Sequence, residues 1–208
     1  MKVLITAGPT VEPIDPVRYL TNRSSGKMGY ALAAAAAKRG HSVLLISGPT
    51  ALEIPEGVDY MPIESAADMY QAVQSQIGRH DLAIFAAAVA DYTPTEISEQ
   101  KLKKVGDEMT ITLKRTKDIL GSAREVMGFA GTLVGFAAET EDVTENARGK
   151  CLRKGCDLVI ANDVSRRDIG FDSSENEVTL VYPDRSEALP QDSKEHLAFH
   201  LIEIIEEL

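Results

Sequence analysis

The sequence has 208 residues, 44% of them apolar and 26% charged, and a formal net charge of −10. These values are ordinary for a soluble globular protein, and the length predicts a single domain, residues 1–208. The sequence contains neither an apolar stretch of the roughly 20 residues that cross a bilayer nor the pattern of a secretory signal. The acidic charge argues against duplex nucleic acid and anionic membranes as partners, so we expect a cytoplasmic protein. Two cysteines five residues apart predict neither a disulfide framework nor a four-ligand metal site.

Apolar strands and amphipathic helices alternate along most of the chain. The pattern predicts strands at 3–6, 42–46, 58–63, 82–88, 133–137 and 158–161, and helices at 28–39, 65–78, 117–128, 141–154 and 193–207. A half-exposed strand is predicted at 109–113, and a hairpin is predicted from strands at 176–182 and 186–189. This alternation predicts an α/β fold with a Rossmann-like, doubly wound and mostly parallel sheet. A β-hairpin and a lysine-rich flap are expected as additions to it.

The predicted strand order places a candidate ligand site. The chain reverses direction between the first strand and the strand at 82–88, and ligands bind outside the carboxyl ends of strands at such a switch. Two unusual loops meet there, at 7–27 and at 88–104. The first has 21 residues, whereas loops between a strand and a helix commonly have about 2–6. We therefore expect a functional loop rather than a rigid connector.

The segment 22–29, with the sequence NRSSGKMG, joins the first strand to an alanine-rich helix. Serines, glycines and a lysine at a helix start gather amide groups and a positive charge around an anion. A phosphate or carboxylate group is therefore expected at this segment. The spacing of Gly8, Gly26 and Gly29 matches neither the dinucleotide-binding fingerprint nor the P-loop, and no acidic residue follows the second strand.

Three further features flank the predicted crevice. Small residues at 86–90 lead from the central strand to Asp91, where backbone groups could contact a base and the carboxylate could hold a hydroxyl group or magnesium. Plain packing with a capping aspartate explains these residues equally well. The lysine-rich run 101–104 suits a loop that closes over a polyphosphate, or a solvated turn. Lys150 and Lys154 share one helix face, which suits an anion clamp or pairing with glutamate.

Seven segments, in order and over nearly the whole chain, together resemble phosphopantothenate–cysteine ligase. They are AGPT at 7–10, EPIDPVR at 12–18, NRSSGKMG at 22–29, AAVADY at 87–92, KLKK at 101–104, GFAAET at 135–140 and ANDVS at 161–165. The resemblance implies a bacterial enzyme of coenzyme A biosynthesis that uses CTP and Mg²⁺. Such an enzyme converts 4′-phosphopantothenate into an acyl-cytidylate with release of pyrophosphate, and L-cysteine then displaces CMP.

The resemblance also implies roles for individual residues. Asn22 is expected to hold the acyl-cytidylate, and Lys101 is expected to act in the chemical steps from a mobile loop. The phosphate-binding residues are expected to be Gly8, Ser24, Ser25, Gly26 and Lys27. The nucleotide-binding residues are expected to be Phe85, Ala86, Ala87, Asp91, Lys101, Lys117, Asp118, Ile119, Leu120, Phe136, Lys150 and Lys154. Asp91 is also the candidate metal contact, and Lys117 departs from the proline expected in many relatives.

The resemblance further implies a homodimer, with the hairpin near 176–190 and the segment 92–116 as candidate interfaces. In many bacteria this domain is fused to a flavin-dependent decarboxylase, which the present sequence lacks. Two other functions remain possible from the residues alone, namely an NAD(P)-dependent Rossmann oxidoreductase and a non-catalytic nucleotide-binding module. The missing fingerprint counts against the first, and the second leaves the lysine-rich run without a role.

Overall fold

The structure, a computed structural model, describes residues 1–104, 106–163 and 175–208. Its strands are β1 (Lys2–Ala7), β2 (Val11–Pro13), β3 (Tyr19–Thr21), β4 (Ser42–Ser47), β5 (Val58–Pro62), β6 (Leu82–Phe85), β7 (Tyr92–Pro94), β8 (Leu113–Arg115), β9 (Thr132–Glu139), β10 (Leu158–Asp163), β11 (Glu175–Val181) and β12 (Ser186–Ser193). Its α-helices are α1 (Lys27–Lys38), α2 (Ala66–Gln76), α3 (Ile119–Glu125), α4 (Val143–Lys154) and α5 (Lys194–Glu206). The last two residues of the motif at 161–165 lie outside the described residues.

Eight strands form the central sheet, in the order β12-β11-β10-β9-β6-β1-β4-β5. The six strands from β10 to β5 run parallel, while β11 and β12 pair antiparallel at one edge as the predicted hairpin. The chain moves outward from β1 to β4 and β5, then returns to place β6 on the other side of β1. The predicted Rossmann-like fold class is confirmed, and so is the reversal between β1 and β6.

Helices cover both faces of the sheet because alternate side chains of a strand point to opposite faces. Val3 and Ile5 of β1 belong to one apolar cluster, which also holds the buried residues of α1 and α5. Leu4 belongs to the other cluster, together with most of the buried residues of α2, α3 and α4. Both layers thus bring helix starts and strand ends to the carboxyl edge of the sheet. None of the described helices is long and apolar enough to span a bilayer.

The structure shortens the predicted helix 117–128 to Ile119–Glu125 and extends the predicted strand 186–189 to Ser186–Ser193. It also corrects the prediction at three places in the long loops. The predicted strand at 109–113 is wrong: only Leu113 is in a strand, and β8 pairs with β7. Met109 is 54% exposed, so the alternation that suggested a strand does not correspond to a buried face. The predicted strand 82–88 ends at Phe85, although Ala88 still forms a bridge with Pro9. The loop 7–27 contains the small hairpin β2–β3, which the sequence analysis did not predict.

Candidate active site

Two adjoining cavities lie at the carboxyl edge of the sheet, where β1, β6 and β9 end. The first has a volume of about 520 Å³ and the second about 430 Å³, both within the usual size of small-molecule sites. Ala87, Val89, Phe136 and Lys150 line both cavities, so the two form one continuous crevice. The crevice lies where the predicted switch point placed a ligand.

The first cavity gathers most of the residues at which the resemblance implied a nucleotide. Those residues in its lining are Phe85, Ala87, Asp91, Lys117, Asp118, Ile119, Leu120, Phe136, Lys150 and Lys154. Ala86 lines the second cavity instead. The Lys117 ammonium lies 4.4 Å from the centre of the Tyr70 ring, a cation–π contact that directs this side chain against α2. The expected nucleotide contacts in this cavity come from β6, α3, β9, α4 and the loops that follow β6 and precede α3, so only the fold brings them together.

Lys154 and Asp118 form an ion pair across the first cavity. Asp118 also caps helix α3, because its Oδ1 accepts a hydrogen bond of 2.9 Å from the Gly121 amide. Burial raises the pKa of Asp118, but the hydrogen bonds from Lys154 and Gly121 lower it by more. The pKa of Asp118 therefore lies below its ordinary value. The carboxylate is therefore ionised at neutral pH and fixes both the helix start and the lysine.

Lys150 is the cation at the junction of the two cavities. Its Nζ donates a hydrogen bond to the Phe136 carbonyl, which fixes the side chain against β9. Burial lowers the pKa of Lys150 and outweighs the neighbouring acidic groups of Cys156 and Glu139, which raise it. Partial burial of an ammonium group carries a desolvation cost, so an anionic ligand in the crevice is attracted by the charge of Lys150 and stabilises that charge in return.

The second cavity is built around the start of α1. Residues 22–29 line it, including Ser24, Ser25, Gly26 and Lys27. Gly26 is the N-cap residue with a φ of 77°, a conformation that glycine adopts without strain. Because Gly26 has no side chain to cap the first turn, the helix start presents its amide dipoles toward the cavity. This arrangement can bind a phosphate or carboxylate group.

We call Ser24, Ser25, Gly26 and Lys27 the expected phosphate cradle, and Gly8 packs against Gly26 beneath it. Gly8 is not among the described residues that line either cavity, and its φ is 70°. A Cβ at Gly8 would lie 2.9 Å from the Gly48 carbonyl oxygen, and a Cβ at Gly26 would lie 3.3 Å from the Gly8 Cα. The structure therefore gives Gly8 a packing role beneath Gly26, which keeps the cradle close to the end of β1.

Asn22 joins the two loops that meet at the crevice. Its Nδ2 donates hydrogen bonds of 3.1 Å to the carbonyl oxygens of Ala88 and Val89. The side chain thus fixes the entry to the phosphate cradle against the segment that follows β6. Its Oδ1 is the polar group by which the side chain could contact a ligand as an acceptor.

Lys101 lies away from this crevice. It is exposed and is not among the described residues that line either cavity. Its neighbour Leu102 is tethered, because the Leu102 amide donates to Asp15 Oδ2 at 3.1 Å and the Leu102 carbonyl accepts from Arg18 at 3.0 Å. The hydrogen bond with Arg18 lowers the pKa of Asp15 well below its usual range, so the tether is ionic at neutral pH.

Three polar residues of the second cavity were missed as ligand contacts in the sequence analysis. They are Asn162 at the end of β10, Asn176 on β11 and Lys194 at the start of α5. No local motif marks Asn176 or Lys194, because one lies in an ordinary hairpin and the other opens an ordinary amphipathic helix. Only Asn162 carried a signal, as a polar residue at the carboxyl end of a buried strand.

The side chains present limit how the site could bind magnesium and whether a cysteine could act as a nucleophile. Among the described residues, no group of three or more His, Cys, Asp or Glu side chains could hold a metal ion. Asp91 in the first cavity fits the usual Mg²⁺ arrangement in which one carboxylate is supplemented by phosphate oxygens and water. Cys151 and Cys156 are buried free thiols, and burial raises the pKa of Cys156 to about 12, which disfavours a thiolate nucleophile.

Comparison with known proteins gives consistent matches over the whole chain. The family model described as the DNA/pantothenate metabolism flavoprotein C-terminal domain matches residues 1–208. The coenzyme A biosynthesis bifunctional protein CoaBC of Vibrio parahaemolyticus is 50% identical over 208 residues, which cover 99% of this chain and 52% of that protein. The chain thus spans about half the length of the curated relatives it matches.

Two solved structures share the fold over nearly the whole chain. The crystal structure of the C-terminal domain of CoaBC superposes with a TM-score of 0.84 at 41% identity, covering 99% of this chain and 94% of that one. The DNA/pantothenate metabolism flavoprotein from Streptococcus pneumoniae superposes with a TM-score of 0.86 at 27% identity, covering 100% and 99%. The sheet and both helix layers are therefore those of a known structural family.

Proposed function

The chain belongs to the family of the DNA/pantothenate metabolism flavoprotein C-terminal domain, and on this basis we propose that it is a phosphopantothenate–cysteine ligase of coenzyme A biosynthesis. The observation that carries the proposal is the continuous crevice, in which one cavity holds most of the expected nucleotide contacts and the adjoining one is lined by Ser24, Ser25, Gly26 and Lys27. In the proposed arrangement, cytidine occupies the first cavity, and the phosphates extend past Lys150 toward Ser24, Ser25, Gly26 and Lys27.

The proposed reaction has two steps. The carboxylate of 4′-phosphopantothenate attacks the α-phosphorus of CTP, so that an O–P bond forms and the bond to pyrophosphate breaks. The amine of L-cysteine then attacks the acyl carbon, the C–N bond forms, CMP leaves and the amine proton passes to solvent. Because a carboxylate is a poor acyl donor, catalysis depends on positioning the reactants and on neutralising phosphate charge.

The chain supplies the positioning and the charge from different elements. Lys150 and the start of α1 neutralise phosphate oxygens, while Asn22 orients the activated acid beside the loop after β6. Mg²⁺, held by Asp91 together with nucleotide phosphates, would supply further charge neutralisation. Lys101 lies outside the described lining of both cavities. It can therefore reach the reacting phosphates only if the lysine-rich run 101–104 rearranges, or if it comes from a second subunit.

The nicotinamide-dependent alternative is less well supported. The end of β4 reads Ser47-Gly48-Pro49, so the acidic residue that holds the ribose in many dinucleotide-binding proteins is absent there. A Cβ at Gly48 would lie 1.7 Å from the Pro9 carbonyl oxygen, because the loop after β1 packs directly against the end of β4. That packing fills the space beside β4 where the adenosine ribose of a dinucleotide would bind.

The relatives are about twice as long as this chain and are named bifunctional. We therefore propose coupling, covalent or functional, to a flavin-dependent decarboxylase that acts on the product of the ligase. We also propose that the ligase works as a homodimer. Both proposals follow the resemblance.

The decisive experiment measures pyrophosphate release with CTP, phosphopantothenate and Mg²⁺, with and without cysteine. We expect a burst of pyrophosphate without cysteine and continued turnover with it, because the acyl-cytidylate forms before cysteine reacts. Parallel reactions with ATP test the nucleotide preference, and a titration with NADH tests the oxidoreductase alternative. No pyrophosphate release under any of these conditions would contradict the proposed function.

Two variants test the expected roles in this reaction. Asn22→Asp removes the two hydrogen bonds to Ala88 and Val89 and places a negative charge beside the acyl phosphate, so the intermediate should accumulate or fail to form. Lys101→Ala should lower turnover by on the order of a hundredfold or more if this lysine neutralises charge in the transition state. Quench analysis of the intermediate and steady-state rates measure both effects, and rates near those of the wild type would remove these residues from the mechanism.

A further inference from the structure

The second cavity extends beyond the expected phosphate cradle to a wall formed by Asn162, Asn176 and Lys194. These residues line the same cavity as Ser24 to Lys27. They come from β10, β11 and the first residue of α5. The resemblance assigned no ligand contact to any of the three, although Asn162 lies in a matched segment. The wall is therefore a part of the crevice that the proposed roles leave unexplained.

All three side chains are unusually buried for polar residues. Asn162 is 8% exposed, Asn176 3% and Lys194 6%. Polar groups are rarely buried to this extent unless they are hydrogen-bonded. Within the described part of the chain, Oδ1 of Asn162 and of Asn176 has no hydrogen-bond partner. Two neighbouring amides with unused hydrogen-bonding capacity in one cavity wall indicate a site for a polar ligand.

The charge of the cavity indicates the sign of that ligand. The described lining contains Arg23, Lys27, Lys150 and Lys194 but no aspartate or glutamate. In a chain with a formal net charge of −10, this segregation of cations is marked. The starts of α1 and α5 both contribute to the lining, and the dipole at a helix start favours an anion.

The amides are compatible with an anion as well. Rotation of an asparagine amide by 180° exchanges Oδ1 and Nδ2, and the two orientations are assigned from their hydrogen-bonding partners. Nδ2 carries two donors, so Asn162 and Asn176 can each donate to an anionic oxygen. Lys194 adds a charge-assisted hydrogen bond, which is stronger than a neutral one.

We propose that Asn176 and Lys194, with Asn162, form a subsite for a phosphoryl group at the far end of the second cavity. The inference rests on the proposed function for the identity of the molecule that carries the phosphoryl group. Two sources share this chemistry: the terminal phosphates of CTP, which leave as pyrophosphate, and the 4′-phosphate of phosphopantothenate. In either case the subsite fixes the end of the substrate that does not react.

The test combines two variants with pairs of ligands that differ in phosphate. Lys194→Met keeps most of the side-chain length and removes the charge, and Asn176→Asp introduces a negative charge beside the bound phosphate. Isothermal titration compares CTP with CMP, and phosphopantothenate with pantothenate, for each protein. We expect one phosphorylated ligand to lose about tenfold to hundredfold in affinity, as for loss of a hydrogen bond between charged groups. The matching ligand that lacks the phosphate, CMP or pantothenate, should lose less than about twofold in affinity, because it makes no such hydrogen bond.

Lys38→Met is the matched control, because Lys38 lines the neighbouring groove with Lys194 but is absent from the described lining of the second cavity. It should bind every ligand as the wild type does, whereas Lys194→Arg should restore most of the affinity lost in Lys194→Met. Loss for CTP alone assigns the subsite to the triphosphate, and loss for phosphopantothenate alone assigns it to the 4′-phosphate. Unchanged affinities for both in folded Lys194→Met and Asn176→Asp would overturn the proposal.

Pyrophosphate and inorganic phosphate serve as probes that need no ligase chemistry. Either anion should raise the melting temperature of the wild type and of Lys38→Met, and should raise that of Lys194→Met less. If the wild type binds these anions at Lys194 but releases no pyrophosphate from CTP, the subsite stands and the proposed function fails. Equal stabilisation of all three proteins by both anions would contradict the subsite independently of the reaction.

Discussion

At the scale of single residues, Lys150 lines both cavities and places a positive charge at their junction. Its Nζ is fixed by the Phe136 carbonyl, and burial lowers its pKa. A lysine with a lowered pKa loses its proton at a lower pH than an ordinary lysine. Because an anionic ligand prefers the protonated form, binding raises the pKa of Lys150 and favours proton uptake.

We therefore predict that the affinity for CTP decreases as the pH rises above neutrality, and does so below the ordinary titration range of lysine near 10.5. Isothermal titration between pH 7 and pH 10, in buffers of different ionisation enthalpy, measures both the affinity and the proton uptake. Lys150→Met should bind more weakly at pH 7 and show a flatter pH profile. A wild-type affinity that stays constant over this range would contradict the assigned role of Lys150.

At the scale of elements, the contact of α1 with β1 positions the phosphate cradle. Gly29 lies in the first turn of α1, and a Cβ at this position would lie 2.5 Å from the Ala7 Cβ. The absence of a side chain at Gly29 thus allows the helix start to approach the end of β1. Gly149 in α4 is also a helical glycine, but a Cβ there would meet only the Arg153 guanidinium, which can move.

The two glycines should therefore respond oppositely to alanine. Gly29→Ala should lower the free energy of unfolding by roughly 1–3 kcal/mol, the usual cost of overpacking, and should weaken CTP binding because the cradle shifts. Gly149→Ala should raise the free energy of unfolding by up to about 1 kcal/mol, because alanine favours the helix. Urea unfolding of both variants measures these changes, and stabilisation by Gly29→Ala would show that α1 is not held at this distance by packing.

At the scale of the whole molecule, the exposed apolar surface distinguishes the two candidate dimer interfaces. Ile97, Met109 and Leu113 of the segment 92–116 are 58%, 54% and 41% exposed. The edge strand β12, in contrast, buries Leu189 and exposes mostly polar or charged residues. Exposed apolar side chains favour association, so the segment 92–116 is the better candidate for the proposed homodimer.

We expect the chain to sediment as a dimer that is weakened by charge in this segment. The double variant Ile97→Glu, Leu113→Glu should raise the dimer dissociation constant by on the order of tenfold or more, because two carboxylates are then buried or repel at the interface. Ala188→Glu on β12 is the control and should leave the dimer intact. Sedimentation velocity over a concentration series measures this, and dissociation by Ala188→Glu alone would favour the hairpin instead.

Elements defined by local interactions were predicted correctly, whereas elements defined by pairing between distant segments were not. The strand β1 and the helix α1 were predicted within a residue or two, because their hydrophobic periodicity is local. The three-residue strands β2, β3, β7 and β8 were missed or misplaced, because pairing with a distant segment defines them. Among the expected site residues, Lys150 lies in the crevice, whereas Lys101 does not line it in the described part of the chain.

The amino-acid sequence alone determined the α/β alternation and the switch point between β1 and β6, and it predicted an anion at residues 22–29. Each of these follows from periodicity and local residue chemistry, which survive in any compact arrangement of the chain. Only the tertiary structure decided that Asn176 and Lys194 share a cavity wall with Ser24 to Lys27. That proximity arises because β11 runs antiparallel beside β10 and α5 returns to pack beside α1, so residues more than 140 positions apart meet at one edge of the sheet.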